Sequence, residues 1–358
     1  MTDRVQRLRE VFEGEGLDGF LVTRPENRYY LTGFTGSAGS VLVTGGEIYL
    51  VTDFRYAEQA RIQSPHCRVI VSSEAAPDAI SKLAGELNIN MLGCEGDHLT
   101  YHQFTLLGDR CWEIGIKPLA GVIDGLRTVK DSYEIEKIGQ AVDLSDRAFS
   151  HILPFIVEGA EERDIALELE FFMRKEGAEG VSFPIIVASG ERSSMPHGIA
   201  SGKRIAPGDL VTMDFGAMLD GYNSDITRTV VLGAADEKQK KIYQIVLEAQ
   251  LSGIKAVRAG IKASEVDRAA RSVIEAYGYG EHFGHSTGHG VGLQIHENPR
   301  VSSKDDTELK PGMVITIEPG IYLPGWGGVR IEDTVVVEDR GCRVLTKSMK
   351  DGLIACGA

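Results

Sequence analysis

The chain has 358 residues, 25% of them charged and 42% hydrophobic, which is the composition of an ordinary globular protein with a large core and room for two domains. A formal net charge of -14 argues against nonspecific nucleic-acid binding and against attraction to an anionic membrane surface. The five cysteines are scattered and form no CxxC pair, so zinc-ribbon and thioredoxin-like chemistry is excluded in favour of bystander thiols in a reducing compartment. No segment is long and apolar enough to span a membrane, and the expected location is the cytoplasm.

In chain order, Val5 to Glu15 predicts a surface helix, with Leu8, Val11 and Phe12 at helical spacing. A short strand at Phe20–Thr23 precedes a Gly-rich, aromatic connection over residues 27–39, which has neither a Walker lysine nor GxGxxG and so does not read as a phosphate loop. Strands at 41–43, 48–52 and 68–72, a helix from Tyr56, and helices near 78–87 and 101–107 give an alternating first domain, residues 1–124. The second domain, residues 125–358, opens with the helix start Asp131-Ser-Tyr-Glu134, an acidic cap ahead of Ile135, Ile138 and Val142. A second helix over 161–175, a strand over 183–189 and a loop over 190–202 that carries His197 come next.

Residues 210–232 then read as a hairpin around Asp220-Gly221. Asp214 and Asp225 are symmetric about a point near that turn, which would set two carboxylates side by side among apolar residues. Such a pair loses hydration and repels itself unless a cation binds, although alone the stretch is equally compatible with a solvated hairpin. Two helices, over 237–257 and 264–277, follow before the pattern recurs. Glu318 and Glu332 are symmetric about the Gly-rich turn at Gly325, and between the hairpins lies FGHSTGHGVGLQIHE, with His285, His289 and His296. Four carboxylates and one imidazole suit two divalent cations, manganese, cobalt, iron or zinc rather than a thiolate-bound metal. The order helices, hairpin, helices, histidine strand, hairpin suggests a duplicated unit folded around one site. Glu297 and Asp333 adjoin motif residues but face away from them on a strand, and stay outside the expected site.

The motifs MDFG…GYNSDITR, GHSTGHGVGLQIHE, TIEPGIY and GVRIEDT together resemble the Xaa-Pro peptidases, the aminopeptidase P and prolidase branch of the pita-bread dinuclear metallopeptidases. NRYYLTGFTGSAG and TDFRYAEQA resemble the creatinase-like N-terminal domain of that branch. The resemblance implies an α/β fold class: a creatinase-like N-terminal domain followed by a pseudo-symmetric pita-bread α+β catalytic domain. It implies metal ligands at Asp214, Asp225, His289, Glu318 and Glu332, outer histidines at His197, His285 and His296, and Arg330 as a support for the metal carboxylates. It also implies two divalent ions per chain, with Mn2+ ahead of Co2+ or Zn2+, and a homodimer.

The chemistry expected from that set is hydrolysis. Two cations lower the pKa of a bridging water, hydroxide attacks the peptide carbonyl, His296 or His285 stabilises the oxyanion, and Glu318 shuttles the proton to the leaving amine. His197, His296 and Arg300 are the expected substrate contacts. The favoured substrates are peptides with proline in second position, cleaved by aminopeptidase P-like action. Alternatives are an Xaa-Pro dipeptidase (prolidase), in which Arg300 grips the proline carboxylate, a creatinase-like amidinohydrolase, and a non-catalytic peptide-binding relative.

Overall fold

The computed structural model describes residues 2–357, and the chain divides into two compact units between Arg127 and Thr128. This division falls three residues beyond the expected 124/125, and both points lie within the one helix Val122–Thr128.

In the first unit, α1 (Thr2–Gly14) precedes a six-stranded sheet made of β1 (Gly19–Val22), β2 (Ser40–Thr44), β3 (Ile48–Thr52), β4 (Arg68–Val71), β5 (Met91–Glu95) and β6 (Gly115–Leu119). The strand order is β4-β3-β2-β1-β5-β6. β1 runs antiparallel to β2 and parallel to β5. β1 and β3 are buried along their whole length, which is why they read as unbroken apolar runs rather than alternating ones. The helices are α2 (Pro25–Thr32), α3 (Ala57–Gln63), α4 (Ala76–Glu86), α5 (Tyr101–Arg110) and α6 (Val122–Thr128). α4 and α5 bury Ile80, Leu83 and Leu107 in one cluster with Leu42 and Leu92; each such side chain contributes about 1.5–3 kcal/mol.

Two expectations change here. The first part of the connection over 27–39 is helical: Pro25 starts α2, and Gly33, at φ 74, closes it by turning left-handed. β5 and β6 were not foreseen, since Gly93, Gly115, Lys117 and Pro118 interrupt any strand pattern.

All five cysteines are free thiols. Burial pushes Cys67 up to about 12 and Cys94, Cys342 and Cys356 up to about 11, with Glu95 adding to the effect at Cys94 and Glu338 at Cys342. The reactive thiolate is therefore scarce near neutrality. A disulfide-exchange reagent at pH 8 should titrate fewer than one thiol per native chain within minutes, against all five in denaturant; rapid native reaction at several sites would contradict the burial.

The second unit repeats one plan. Its first half has α7 (Ser132–Ile152), α8 (Glu162–Lys175), β7 (Gly180–Val181), β8 (Ile186–Ser189), β9 (Leu210–Phe215), β10 (Ala217–Leu219), β11 (Tyr222–Asn223) and β12 (Ile226–Leu232). The second half has α9 (Glu237–Ala256), α10 (Ala263–Ala276), β13 (Gly288–Gly290), β14 (Glu297–Val301), β15 (Val314–Ile317), β16 (Gly320–Leu323), β17 (Gly327–Arg330), β18 (Asp333–Glu338), β19 (Gly341–Val344) and β20 (Ala355–Cys356). Asp131 and Glu134 form the expected reciprocal cap on α7, an arrangement typically contributing about 1 kcal/mol. Leu144 and Phe149 of α7 and Leu169 of α8 pack on Val211, Met213 and Val230 of the first hairpin. Val266 of α10 packs on Ile315, Ile317 and Val335 of the second. The last strand, β20, returns to the first half and pairs parallel with β12 at Val231↔Ala355.

Candidate metal centre

In the first hairpin, Asp220 (φ 50) and Gly221 (φ 75) form a two-residue turn with both residues left-handed, the geometry that matches strand twist. Leu219 pairs with Tyr222, and further along Asp214 pairs with Thr227. The same register sets Asp225 level with Gly216, so it is a diagonal neighbour of Asp214 on the same face. The expectation that the two aspartates stand directly opposite is corrected, because the turn is centred between residues 220 and 221.

In the second hairpin, Ile317↔Asp333 and Gly320↔Arg330 share one register, so Glu318 and Glu332 face each other in the gap between the two ladders. β13 brings His289 alongside. A Cβ on Gly288 would lie 1.9 Å from the Thr316 carbonyl oxygen, so only glycine permits this approach.

These elements converge. Asp225, His289 and Glu332 are buried and offer ligand atoms that all lie within 4.8 Å of one another. His289 Nε2 stands 3.4 Å from Asp225 Oδ2 and 3.3 Å from Glu318 Oε1. His289 Nδ1 faces the Gly290 carbonyl at 3.0 Å, which leaves Nε2 to face the two carboxylates. An imidazole nitrogen between two carboxylates calls for a positive charge there, a proton or a metal ion. Two further buried oxygens, Asp214 Oδ1 and Glu332 Oε1, have no hydrogen-bond partner among the described residues. Burial, followed by the charges of Asp214 and Glu318, raises the Asp225 pKa well above the carboxylate range. Burial, then Asp225 and Glu318, does the same for Glu332. An oxygen-rich donor set with one imidazole, self-repelling when empty, fits divalent cations.

Around it stands a support layer. Arg330, only 3% exposed, donates to Asp214 Oδ2 at 2.6 Å, to the Thr227 hydroxyl at 3.0 Å and to the Tyr322 hydroxyl at 2.8 Å. Thr227 donates to Glu332 Oε2 at 2.7 Å, and Thr316 to Glu318 Oε1 at 3.2 Å. Arg330 is therefore a positioning residue rather than a group that meets substrate. Behind the hairpin, buried Arg228 donates to the Glu332 carbonyl and to Asp333 Oδ1, and Lys350 and Gln250 also bond Asp333. Asp333 lies outside the site, as its place on the strand implied, but buttresses the ligand beside it. Glu297 likewise pairs with buried Lys130 at 3.0 Å.

The outer histidines differ among themselves. Burial and then Arg330 lower the His285 pKa to about 4, so the ring is neutral. Its Nδ1 faces the Ser286 carbonyl at 2.8 Å and its Nε2 faces the Tyr322 hydroxyl at 2.9 Å. A neutral ring must place its one proton toward the carbonyl, so Tyr322 donates to Nε2. Both nitrogens are engaged, and the expected choice of His285 as oxyanion donor is withdrawn. His296 is exposed and packs edge-on to His289, with ring centroids 4.4 Å apart. Partial burial, then His289 and Arg300, lower its pKa. His197 is exposed on its loop, and its proximity adds a little to the lowering of the His285 and His296 pKa values. Arg300 pairs directly across from His289 in the β13–β14 register, which puts the two side chains on one face. It is exposed, and its guanidinium makes no hydrogen bond or ion pair among the described residues.

Residues 136–339 match metallopeptidase family M24, and residues 4–129 match the creatinase/prolidase N-terminal domain. The chain belongs to metallopeptidase family M24. The Xaa-Pro dipeptidase of Pyrococcus furiosus is 43% identical over 352 residues, 98% of this chain and 99% of that one. The solved Xaa-Pro dipeptidase from Bacillus anthracis is 47% identical with a TM-score of 0.96, covering 99% of each chain. The solved X-Pro aminopeptidase from Thermotoga maritima is 39% identical with a TM-score of 0.92, covering 98% of this chain and 99% of that one. The M24 peptidase thus has a creatinase-type N-terminal domain and a pita-bread catalytic domain, and it is a metal-dependent enzyme. No helix among its described residues is long and apolar enough to cross a membrane.

Sequence reasoning missed Tyr322, Thr227 and Thr316 as partners of the centre. All three sit inside the motifs, Thr316 and Tyr322 at the two ends of TIEPGIY and Thr227 in SDITR, where their spacing from Glu318 and Asp225 was the available signal.

Proposed function

We propose that this M24 peptidase is an Xaa-Pro dipeptidase, hydrolysing dipeptides whose second residue is proline. This reverses the order expected from sequence, in which aminopeptidase P-like cleavage of longer peptides came first. The dipeptidase names of the relatives at 43% and 47% identity support it. The observation that carries it is Arg300, an unpaired guanidinium on the same face as His289. In a dipeptide the proline carboxylate lies next to the scissile bond, within reach of such a group; in a longer peptide it does not.

Asp214, Asp225, His289, Glu318 and Glu332 would hold two divalent ions, with manganese ahead of cobalt or zinc. Bound there, the cations supply an activated water nucleophile and a Lewis acid for the scissile carbonyl. Glu318, beside His289 and tethered by Thr316, takes up a proton and delivers it to the proline nitrogen as the bond breaks. His296, neutral near pH 7, donates a hydrogen bond to the carbonyl oxygen as negative charge grows there. His197 contacts the substrate from the opposite loop, and Arg330 holds Asp214 in place. We place the enzyme in the cytoplasm as a homodimer, a reading supported by its five free thiols and by the resemblance to the branch.

Arg300→Ala tests the specificity. Hydrogen bonds to charged groups contribute roughly 1.5–3 kcal/mol, so kcat/KM for an Xaa-Pro dipeptide should fall about ten- to a hundredfold. Cleavage of an Xaa-Pro-Yaa amide should change little. Equal losses on both substrates would sink the carboxylate role.

A further inference from the structure

Whatever holds the 190–202 loop sets the position of His197, because its side chain has no hydrogen bond or ion pair among the described residues and only its carbonyl is engaged, accepting from the Ile199 amide at 2.9 Å within the loop itself. We infer that Glu162 is the positioning residue that fixes His197 for substrate; the inference rests on the substrate-binding role given to that histidine above. Glu162 lies in the first turn of α8 and is fully buried. Its carboxylate joins the two ends of the loop. Oε1 accepts from the Ser189 amide at 2.7 Å and the Ser189 hydroxyl at 2.9 Å, where the loop begins. Oε2 accepts from the Ser201 hydroxyl at 2.6 Å and the Ser201 amide at 3.1 Å, where it ends. Arg192, inside the loop, donates Nε to Oε2 at 3.0 Å and Nη2 to the Ile199 carbonyl at 2.7 Å.

The helix end takes part as well. The free amides of Glu162 and Arg163 donate to the carbonyls of Lys203 and Ser201, and a carboxylate here meets the positive end of the helix dipole. Five donors thus converge on one dry carboxylate, and every one of them belongs to the loop or its two ends. Between the clasped ends the chain turns outward and presents Met195, His197 and Ile199, all exposed. No side-chain hydrogen bond or ion pair of His197 among the described residues competes with this constraint. A carboxylate with both oxygens filled by donors cannot be replaced by an amide without setting NH2 against N–H or O–H.

The test is a double-mutant cycle of Glu162→Gln with His197→Ala, assayed on an Xaa-Pro dipeptide with Mn2+. Each single variant should lower kcat/KM about ten- to a hundredfold, mainly through KM, as misplacement of a substrate contact does. The double variant should be no worse than His197→Ala alone. Mn2+ affinity by calorimetry should match wild type, and amide hydrogen exchange over 190–202 should quicken in Glu162→Gln. Ser201→Ala, which removes one hydroxyl donor, should shift KM in the same direction by less, and it carries the test if Glu162→Gln does not fold. Additive losses, weakened Mn2+ binding or unchanged exchange over 190–202 would overturn the clasp. An unaffected KM in His197→Ala would overturn it through the histidine, whereas a wild type inactive on all Xaa-Pro peptides would strike the proposed function itself.

Discussion

Glu332→Gln should bind fewer divalent ions than wild type, lose activity by roughly a thousandfold or more, and yet be no less stable when metal-free. The first two effects follow from charge and donor count. Glu332 offers one of three ligand atoms within 4.8 Å of one another, and its Oε1 has no hydrogen-bond partner among the described residues. An amide keeps the shape but removes a full negative charge facing the cation. A thousandfold loss corresponds to about 4 kcal/mol of transition-state stabilisation. The third effect has the opposite sign to most substitutions of buried residues. Without metal, Glu332 repels Asp225, Glu318 and Asp214, so neutralising it relieves the empty centre. Wild type at a metal concentration of a thousand times Kd should gain about 4 kcal/mol, and the variant much less. Melting curves with and without Mn2+, together with metal analysis, read all three. Normal metal content and turnover would refute the assignment of Glu332.

Asp333→Ala should destabilise the catalytic unit by about 3–5 kcal/mol, because it strands the buried Arg228 guanidinium and removes the partner of half-buried Lys350. Arg228 is 1% exposed and Asp333 is fully buried, and their contact is 2.8 Å. Lys350 reaches Asp333 from the C-terminal segment, with Gln250 completing the set. For a unit of this size the loss corresponds to roughly 6–20 °C in Tm. Burial alone would raise the Asp333 pKa, but Arg228 and Lys350 more than offset it and hold the carboxyl below its ordinary 3.8. A depressed carboxyl pKa stabilises the fold above the unfolded value, and that contribution is lost as pH falls through the folded value. Wild type should therefore lose this stability only in strong acid, while Asp333→Ala should lack it already at pH 7. A Tm within a degree or two of wild type would show that the cations find other partners.

Much of this was legible in the chain because symmetry does not depend on exact register. Glu318 and Glu332 flank Gly325 evenly, and the structure keeps them opposite each other. Asp214 and Asp225 were misplaced by two positions along the strand, yet a two-residue error preserves the face, so both still turn inward. The part that could not be read depends on partners far apart in sequence. His285 loses its candidacy to Tyr322, 37 residues away. Arg300 gains weight from its pairing with His289, across strands whose register shifts at the next residue. The helix α2 hid among glycines and aromatic residues, and β5 and β6 lacked any alternation that would mark them.

The metal centre is divided between two hairpins, and this has a consequence for how the protein is made. Thr227 and Glu332, which touch through a hydrogen bond, lie 105 residues apart. A chain emerging from the ribosome exposes Asp214 and Asp225 long before Glu318 and Glu332 exist. Two carboxylates on a half-built hairpin hold a divalent ion weakly, so the nascent chain does not trap metal in an incomplete centre. Closing contacts over so long a stretch is also slow, since the loop entropy must be met before any contact rewards it. The proposed donor set is thus complete only once both halves have docked, 105 residues apart in the chain.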